Sequence, residues 1–155
     1  MDAGRQNQPD LTARLDDFLC FSIYAAEHAF SRAYKPLLAA LGLTYPQYLA
    51  MTLLWEEDDQ TVGRLSQRLS LESSTLTPLL KRLEADGLLS RHRDTKDERV
   101  VRVKLTPAGD KLRQKAQNVP ACILQATGMS LEELGALRAQ IVALTKRLQT
   151  AAGSD

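Results

Sequence analysis

The sequence predicts a mainly α chain with a small β wing: a winged helix-turn-helix flanked by N- and C-terminal dimerisation helices. Three observations predict it. Leu76, Leu79, Leu80 and Leu83 recur three and four apart on one face of a helix, and Ser73, Ser74, Thr75, Thr77, Lys81 and Arg82 fall on the other. After Gly87 the period drops to two. Arg91-His92-Arg93 leads into the turn-rich run Asp94 to Glu98, and Val101, Val103 and Leu105 then alternate with Arg102 and Lys104, which is a hairpin with a charged tip. Finally, charge is segregated. Residues 61–105 hold ten cations against six acids, and residues 1–60 hold four against nine, in a chain of net charge +1.

A charged hairpin is ordinarily a solvated surface. The order of elements gives it a different meaning here. Thr61 to Leu69 reads as a short amphipathic helix with Val62, Leu65 and Leu69 inward, directly before the helix that Ser73 or Ser74 would cap and Gly87 would end. Helix, turn, helix with a polar outer face, then hairpin is the arrangement that lays a helix in the DNA major groove. The module is expected over 46–105, with dimerisation helices over 11–41 and 107–151 of a single 1–155 chain.

The flanks follow from periodicity. Leu11, Leu15, Phe18, Leu19, Ile23, Ala26 and Phe30 outline one long helix from 11 to about 34, with Cys20 in its middle and Tyr24 one turn on. Tyr34-Lys35-Pro36 is expected to loosen it, because a residue before proline disfavours the α region, with Leu37 to Leu41 continuing in helix-like fashion to Gly42. Thr44 and Gln47 form a T-x-x-Q capping box with Pro46 in the first turn, opening a helix that buries Tyr48, Leu49, Met51, Leu53, Leu54 and Trp55. Thr106-Pro107 caps another, which Pro120 should kink or break. Ser130 and Glu133 form a second capping box. Beyond it Leu131, Leu134, Leu137, Ile141, Leu144 and Leu148 make a narrow seam that calls for a partner helix, most simply a second copy of the chain.

Composition bounds the function. At 155 residues, 44% apolar and 25% charged, the chain is ordinary globular protein with room for a core. Its polar first ten residues lack a signal-peptide apolar region, so a cytoplasmic location is expected. The uncharged run Leu37 to Trp55 is interrupted by Gly42, Thr44, Pro46 and Gln47, which favours two buried helices over a membrane span. His28 and His92 have no ligand-spaced partner, so neither metal nor cofactor is expected. No nucleophile elbow, phosphate loop or dinucleotide fingerprint is present, and the chain reads as a non-enzyme. Cys20 and Cys122 belong to no Cys-x-x-Cys pair. Taken alone, a cysteine on an apolar helix face is ordinarily a small buried hydrophobe, and Tyr24, Tyr34 and Tyr45 are core aromatics.

Helix, helix, winged module, helix, helix at this length resembles the MarR family of dimeric bacterial repressors across essentially the whole chain. Asp94-x-x-Asp97-Glu98-Arg99 is similar to that family's wing tip, in which the residue at Asp97 braces the one at Arg99 for the minor groove. Four further stretches resemble the organic-hydroperoxide-sensing OhrR branch. They are Leu19-Cys20-Phe21-x-x-Tyr24, Tyr34-Lys35-Pro36-Leu37-Leu38, Leu43 to Ala50, and Thr75 to Leu83. The resemblance implies that Cys20 is a peroxide-sensing thiol, hydrogen-bonded by Tyr34 and Tyr45 of the other subunit with Tyr24 nearby. It also makes Cys122 the candidate resolving cysteine, the alternative being capping of Cys20 by a low-molecular-weight thiol. DNA contacts are expected from Ser73, Ser74, Thr75, Thr77, Lys81 and Arg82 in the major groove and from Lys96, Asp97 and Arg99 at the wing. The expected partners are operator DNA, a second copy of the chain and an organic hydroperoxide. Two other readings stand beside this one: a MarR-type repressor released by a non-covalent aromatic ligand, and a thiol peroxidase using both cysteines.

Overall fold

The computed structural model describes residues 14–153. Seven α-helices and a small three-stranded antiparallel sheet are found among them. A 3-10 turn over Leu15–Asp17 precedes α1 (Leu19–Ala39), followed by α2 (Tyr45–Glu56), β1 (Gln60–Thr61), α3 (Val62–Leu69) and α4 (Ser73–Ala85). Then come β2 (Leu89–Arg93), β3 (Val101–Leu105), α5 (Pro107–Ala116), α6 (Val119–Thr127) and α7 (Leu131–Ala152).

The core sits where α2, α3, α4 and the sheet meet. Met51, Leu54, Leu65, Leu76, Leu80, Leu83, Leu89 and Val103 are almost wholly withdrawn from solvent. The anticipated inner stripe of α4 is therefore real, with Leu79 only half-buried at its edge. At its far end Gly87 adopts φ +76°, which needs no Cβ, and the Leu88 N–H turns back to the Leu83 carbonyl at 3.0 Å. Neither Ser73 nor Ser74 caps the helix. Glu72 is the N-cap residue, without a side-chain bond, and both serines lie in the first turn. Three other caps form as read. Thr44 and Gln47, and Ser130 and Glu133, make reciprocal boxes, and the Thr106 hydroxyl accepts the Gly109 N–H at 3.1 Å.

The first helix differs from expectation at both ends. Leu11 lies outside the described residues. Phe18 is extended, α1 starts at Leu19, and Cys20 consequently stands at the head of the helix, not in its middle. Downstream, α1 runs straight through Pro36 to Ala39. A proline inside a helix loses one backbone bond and costs roughly 3 kcal/mol in a bare helix. The turn beyond it seats Leu38, 3% exposed, in the core, which offsets that cost. Pro120, by contrast, acts as anticipated: α5 stops at Ala116 and Pro120 sits in the first turn of α6.

The wing is a hairpin with an added strand. β2 and β3 pair antiparallel from Leu89↔Leu105 to Arg93↔Val101, and β1 joins the other edge of β3 through Gln60↔Val103 and Thr61↔Arg102. Two residues are too short a run for period-two patterning to reveal. The terminal helices leave their apolar faces uncovered in the single chain. Leu131 is 74% and Leu148 61% exposed, α7 buries none of its residues, and Leu19, Ile23 and Phe30 of α1 are exposed as well. No helix among the described residues is long and apolar enough to cross a membrane.

Candidate nucleic-acid interface and thiol site

Burying Leu76, Leu80 and Leu83 turns the opposite face of α4 outward. Ser73, Ser74, Thr75, Lys81 and Arg82 are exposed there, and Thr77 is half-buried toward the wing. Glu72 accepts the N–H groups of Thr75 and Leu76 with its carbonyl, at 3.0 and 2.9 Å. The Ser73 and Ser74 amides precede that bond, at the end of a helix where backbone donors and the dipole favour an anion.

The wing tip is built by two aspartates. Asp94 Oδ1 accepts the Lys96 N–H at 2.7 Å and the Asp97 N–H at 3.3 Å, and the Asp94 N–H closes the turn on the Val100 carbonyl at 2.8 Å. The Lys96 amide is the chief reason that the Asp94 carboxyl lies below the usual carboxylate range. Asp97 then receives Arg99 in a bidentate grip, Nε at 3.0 Å and Nη2 at 3.1 Å. The Arg99 side-chain bonds hold the Asp97 carboxyl low and raise the guanidinium in return. Lys96 is exposed beside them.

Other cations are already engaged. Arg64 pairs with Glu57 at 2.6 Å, Arg68 with Glu56 at 3.2 Å, and Arg91 with Glu84 at 2.9 Å. Arg102 reaches Asp59 Oδ1 at 2.9 Å and Asp94 at 3.3 Å, and also donates to the Asp59 carbonyl. Asp59 holds its place in the left-handed region, φ +56°, which aspartate tolerates better than most residues. Sequence reasoning missed these pairs, which join residues seven to forty-three positions apart. Lys81 and Arg82 on α4 and Lys96 and Lys104 on the wing make no ion pair among the described residues.

Both cysteines are free and exposed. Tyr24, one turn after Cys20, packs its ring edge-on to His28 at 4.2 Å and stacks near Phe21. Tyr34 and Tyr45 meet at 4.8 Å between centroids, with Tyr48 at 6.0 Å from Tyr34. Burial, then the neighbouring phenols Tyr45 and Tyr48, push Tyr34 up to about 12, and burial likewise raises Tyr45. Both remain hydroxyl donors at neutral pH. Cys20 and Tyr34 are fourteen positions apart on one helix, roughly 20 Å at 1.5 Å per residue. A single chain therefore does not unite the thiol with the tyrosine pair. That pair instead opens on an apolar cleft of about 580 Å³ between α1 and α7, lined by Ile23, Phe30, Ile123, Leu134, Leu137 and Ile141 among others. Cys122 is exposed on α6, one residue before the buried Ile123.

The family model for transcriptional regulator SarA/Rot matches residues 32–119. The HTH-type transcriptional regulator TtmR of Methylorubrum extorquens is 49% identical over 90% of this chain and 72% of its own. An organic hydroperoxide resistance transcriptional regulator of Bacillus subtilis is 44% identical over 87% of this chain and 92% of its own. Among solved structures, AbfR of Staphylococcus epidermidis in its reduced, DNA-bound form superposes with TM-score 0.74 at 34% identity, covering 87% of this chain and 94% of that one. Fold, wing and sequence agree, and the chain belongs to the SarA/Rot family of MarR-like winged-helix transcriptional regulators.

Proposed function

We propose that the chain is a cytoplasmic homodimeric repressor that holds its operator while reduced and releases it once an organic hydroperoxide has oxidised Cys20. The observation that carries this reading is the separation of the thiol from the phenols. Cys20 heads an exposed apolar helix face, while Tyr34, toward the far end of the same helix, packs against Tyr45 at the start of α2, so a second, antiparallel copy of α1 would bring thiol and phenols together. The exposed seams of α1 and α7 supply the apolar surface for such an interface. Support also comes from the relatives, one an organic hydroperoxide resistance regulator, another, AbfR, with solved structures in reduced, overoxidised and disulfide forms.

The Cys20 thiolate attacks the terminal oxygen of R–O–OH. An S–O bond forms, the O–O bond breaks, and the alkoxide leaves and is protonated to alcohol. Sulfur loses two electrons to the peroxide and becomes sulfenic acid. Cys122 of the partner subunit, or a low-molecular-weight thiol, then displaces water from the sulfenic sulfur to give a disulfide. One peroxide is consumed per site, which separates a sensor from a peroxidase. Phe18, Phe21 and Ile23 favour bulky organic hydroperoxides over hydrogen peroxide.

On the DNA, the outer face of α4 takes the major groove and Arg99 the minor groove, with Asp97 and Lys96 at its side. Rearrangement at the oxidised interface changes the spacing of the two α4 helices and the operator is released. The α1–α7 cleft favours a second reading, release by a non-covalent aromatic ligand. One experiment separates the two. DNA selected in vitro on the reduced protein is titrated with and without cumene hydroperoxide, for wild type and Cys20→Ser. Release of wild type alone supports the thiol, and equal release of both removes it. A non-reducing gel shows whether Cys122→Ser abolishes a covalent dimer.

A further inference from the structure

The first turn of α5 is fastened to the far end of α4 through backbone groups. The Thr106 N–H donates to the Leu88 carbonyl at 3.1 Å, and the Thr106 hydroxyl donates to the Gly87 carbonyl at 2.6 Å. Gly109 lies against the same peptide so closely that a Cβ there would overlap the Leu88 oxygen and stand 2.9 Å from its carbon. On its other side the Gly109 carbonyl accepts the indole N–H of Trp55, from α2, at 3.0 Å. Gly87 and Leu88 are the residues that end α4 and lead into β2. One seam therefore joins α2, the recognition helix and the wing root to the helix that leads into α6 and α7.

Every contact in this seam has a backbone atom on at least one side, and Gly109 leaves no side chain between the two segments. The Thr106 N–H to Leu88 carbonyl bond and the Gly109–Leu88 approach are backbone on both sides and cannot absorb a displacement by switching a rotamer; the Thr106 hydroxyl and the Trp55 indole brace them. We infer that Trp55, Thr106 and Gly109 are positioning residues that pass a movement of α5 and α6 to α4 and the wing as one rigid body. The inference rests on the proposed switch only in naming what moves α5. The joint itself works in both directions, because coupling between two sites is reciprocal: DNA on α4 must also be felt in α5 and α6.

The full-length protein is tested as wild type, Trp55→Phe, Thr106→Val, Thr106→Ser and Gly109→Ala, using DNA selected on reduced wild type. Backbone hydrogen exchange over Pro107–Thr127 is measured with and without that DNA. The joint predicts slower exchange there in the wild-type complex, an effect kept by Thr106→Ser and at least halved in Thr106→Val and Trp55→Phe while both still bind DNA within about threefold of wild type. Wild-type exchange unmoved by DNA, or moved equally in every variant, overturns the joint. Gly109→Ala is expected to bind more weakly or to fold poorly, and the hydroxyl and indole variants decide the matter if it does not fold. The same set is then titrated with cumene hydroperoxide. A wild type whose DNA affinity ignores the peroxide, yet whose α5 and α6 respond to DNA, refutes the sensing reading and leaves the joint standing. If wild type responds to peroxide, the ratio of oxidised to reduced Kd falls at least fivefold in Thr106→Val and is restored in Thr106→Ser. An unchanged ratio in both Thr106→Val and Trp55→Phe overturns the joint.

Discussion

Asp97 grips the Arg99 guanidinium through both of its oxygens, at 3.0 and 3.1 Å, while 90% of the Arg99 side chain remains in solvent. A pair so exposed contributes little to stability, because water and salt screen it. Its effect is to aim a long side chain before any ligand arrives, and so to reduce the ordering that binding would otherwise require. Arg99→Ala is therefore expected to weaken operator binding roughly tenfold. Asp97→Asn should give a smaller loss in the same direction, with the thermal midpoint of both variants unchanged. Fluorescence anisotropy and a thermal melt check this, and a wild-type affinity in Arg99→Ala would place the wing off the DNA.

Leu83 of α4 is fully buried among α2, α3 and the sheet. Truncating it removes the transfer energy of the lost atoms and leaves a cavity that the surrounding helices fill only in part. Leu83→Ala is expected to destabilise the fold by about 2–5 kcal/mol, read from the urea midpoint. Leu148→Ala, a truncation at a position 61% exposed in the single chain, should leave a monomeric state untouched. Its stability loss should appear as a lower melting midpoint at concentrations where wild type associates and vanish at dilutions where both are monomeric, because the seam would act between copies.

What could be read in the sequence was local. Thr44 with Gln47, Ser130 with Glu133, and Thr106 with Gly109 each act across three residues, so the spacing alone carries the geometry. The stripe on α4 was legible for the same reason. Pro36 misled because the backbone penalty is local, whereas the burial of Leu38 that offsets it depends on the distant core. Arg102 and Asp59 are forty-three positions apart, and only the pairing of β1 with β3 brings them together. The proposed thiol site rests on resemblance, since one chain keeps Cys20 and Tyr34 about fourteen residues apart along α1.

Tyr34 gives the fold a dependence on alkaline pH. Burial and the phenols of Tyr45 and Tyr48 raise its folded value to about 12, against an ordinary value of 10.0. Between those values the folded chain holds a proton that the unfolded chain has released. The contribution is fully present below pH 10 and is lost as pH rises through about 12. Urea midpoints for wild type should therefore fall between pH 9 and pH 11. In Tyr34→Phe that fall should be shallower, by the share Tyr34 supplies. Parallel pH profiles would mean that Tyr34 titrates normally and lies open to water.

Lys81 lies on the outer face of α4, exposed and without an ion pair among the described residues. A lysine in that position can neutralise a phosphate and release a condensed counterion, a contribution blind to base sequence. Lys81→Ala should weaken binding to selected and unrelated DNA by a similar factor. It should also make the slope of log affinity against log salt shallower by about one for each subunit on the DNA. Arg64 is the control, because its guanidinium is already held by Glu57 at 2.6 Å and has less to offer a phosphate. Arg64→Ala should change the slope less than Lys81→Ala does, and the reverse order would mean that the Glu57 pair opens on DNA while Lys81 points away from it.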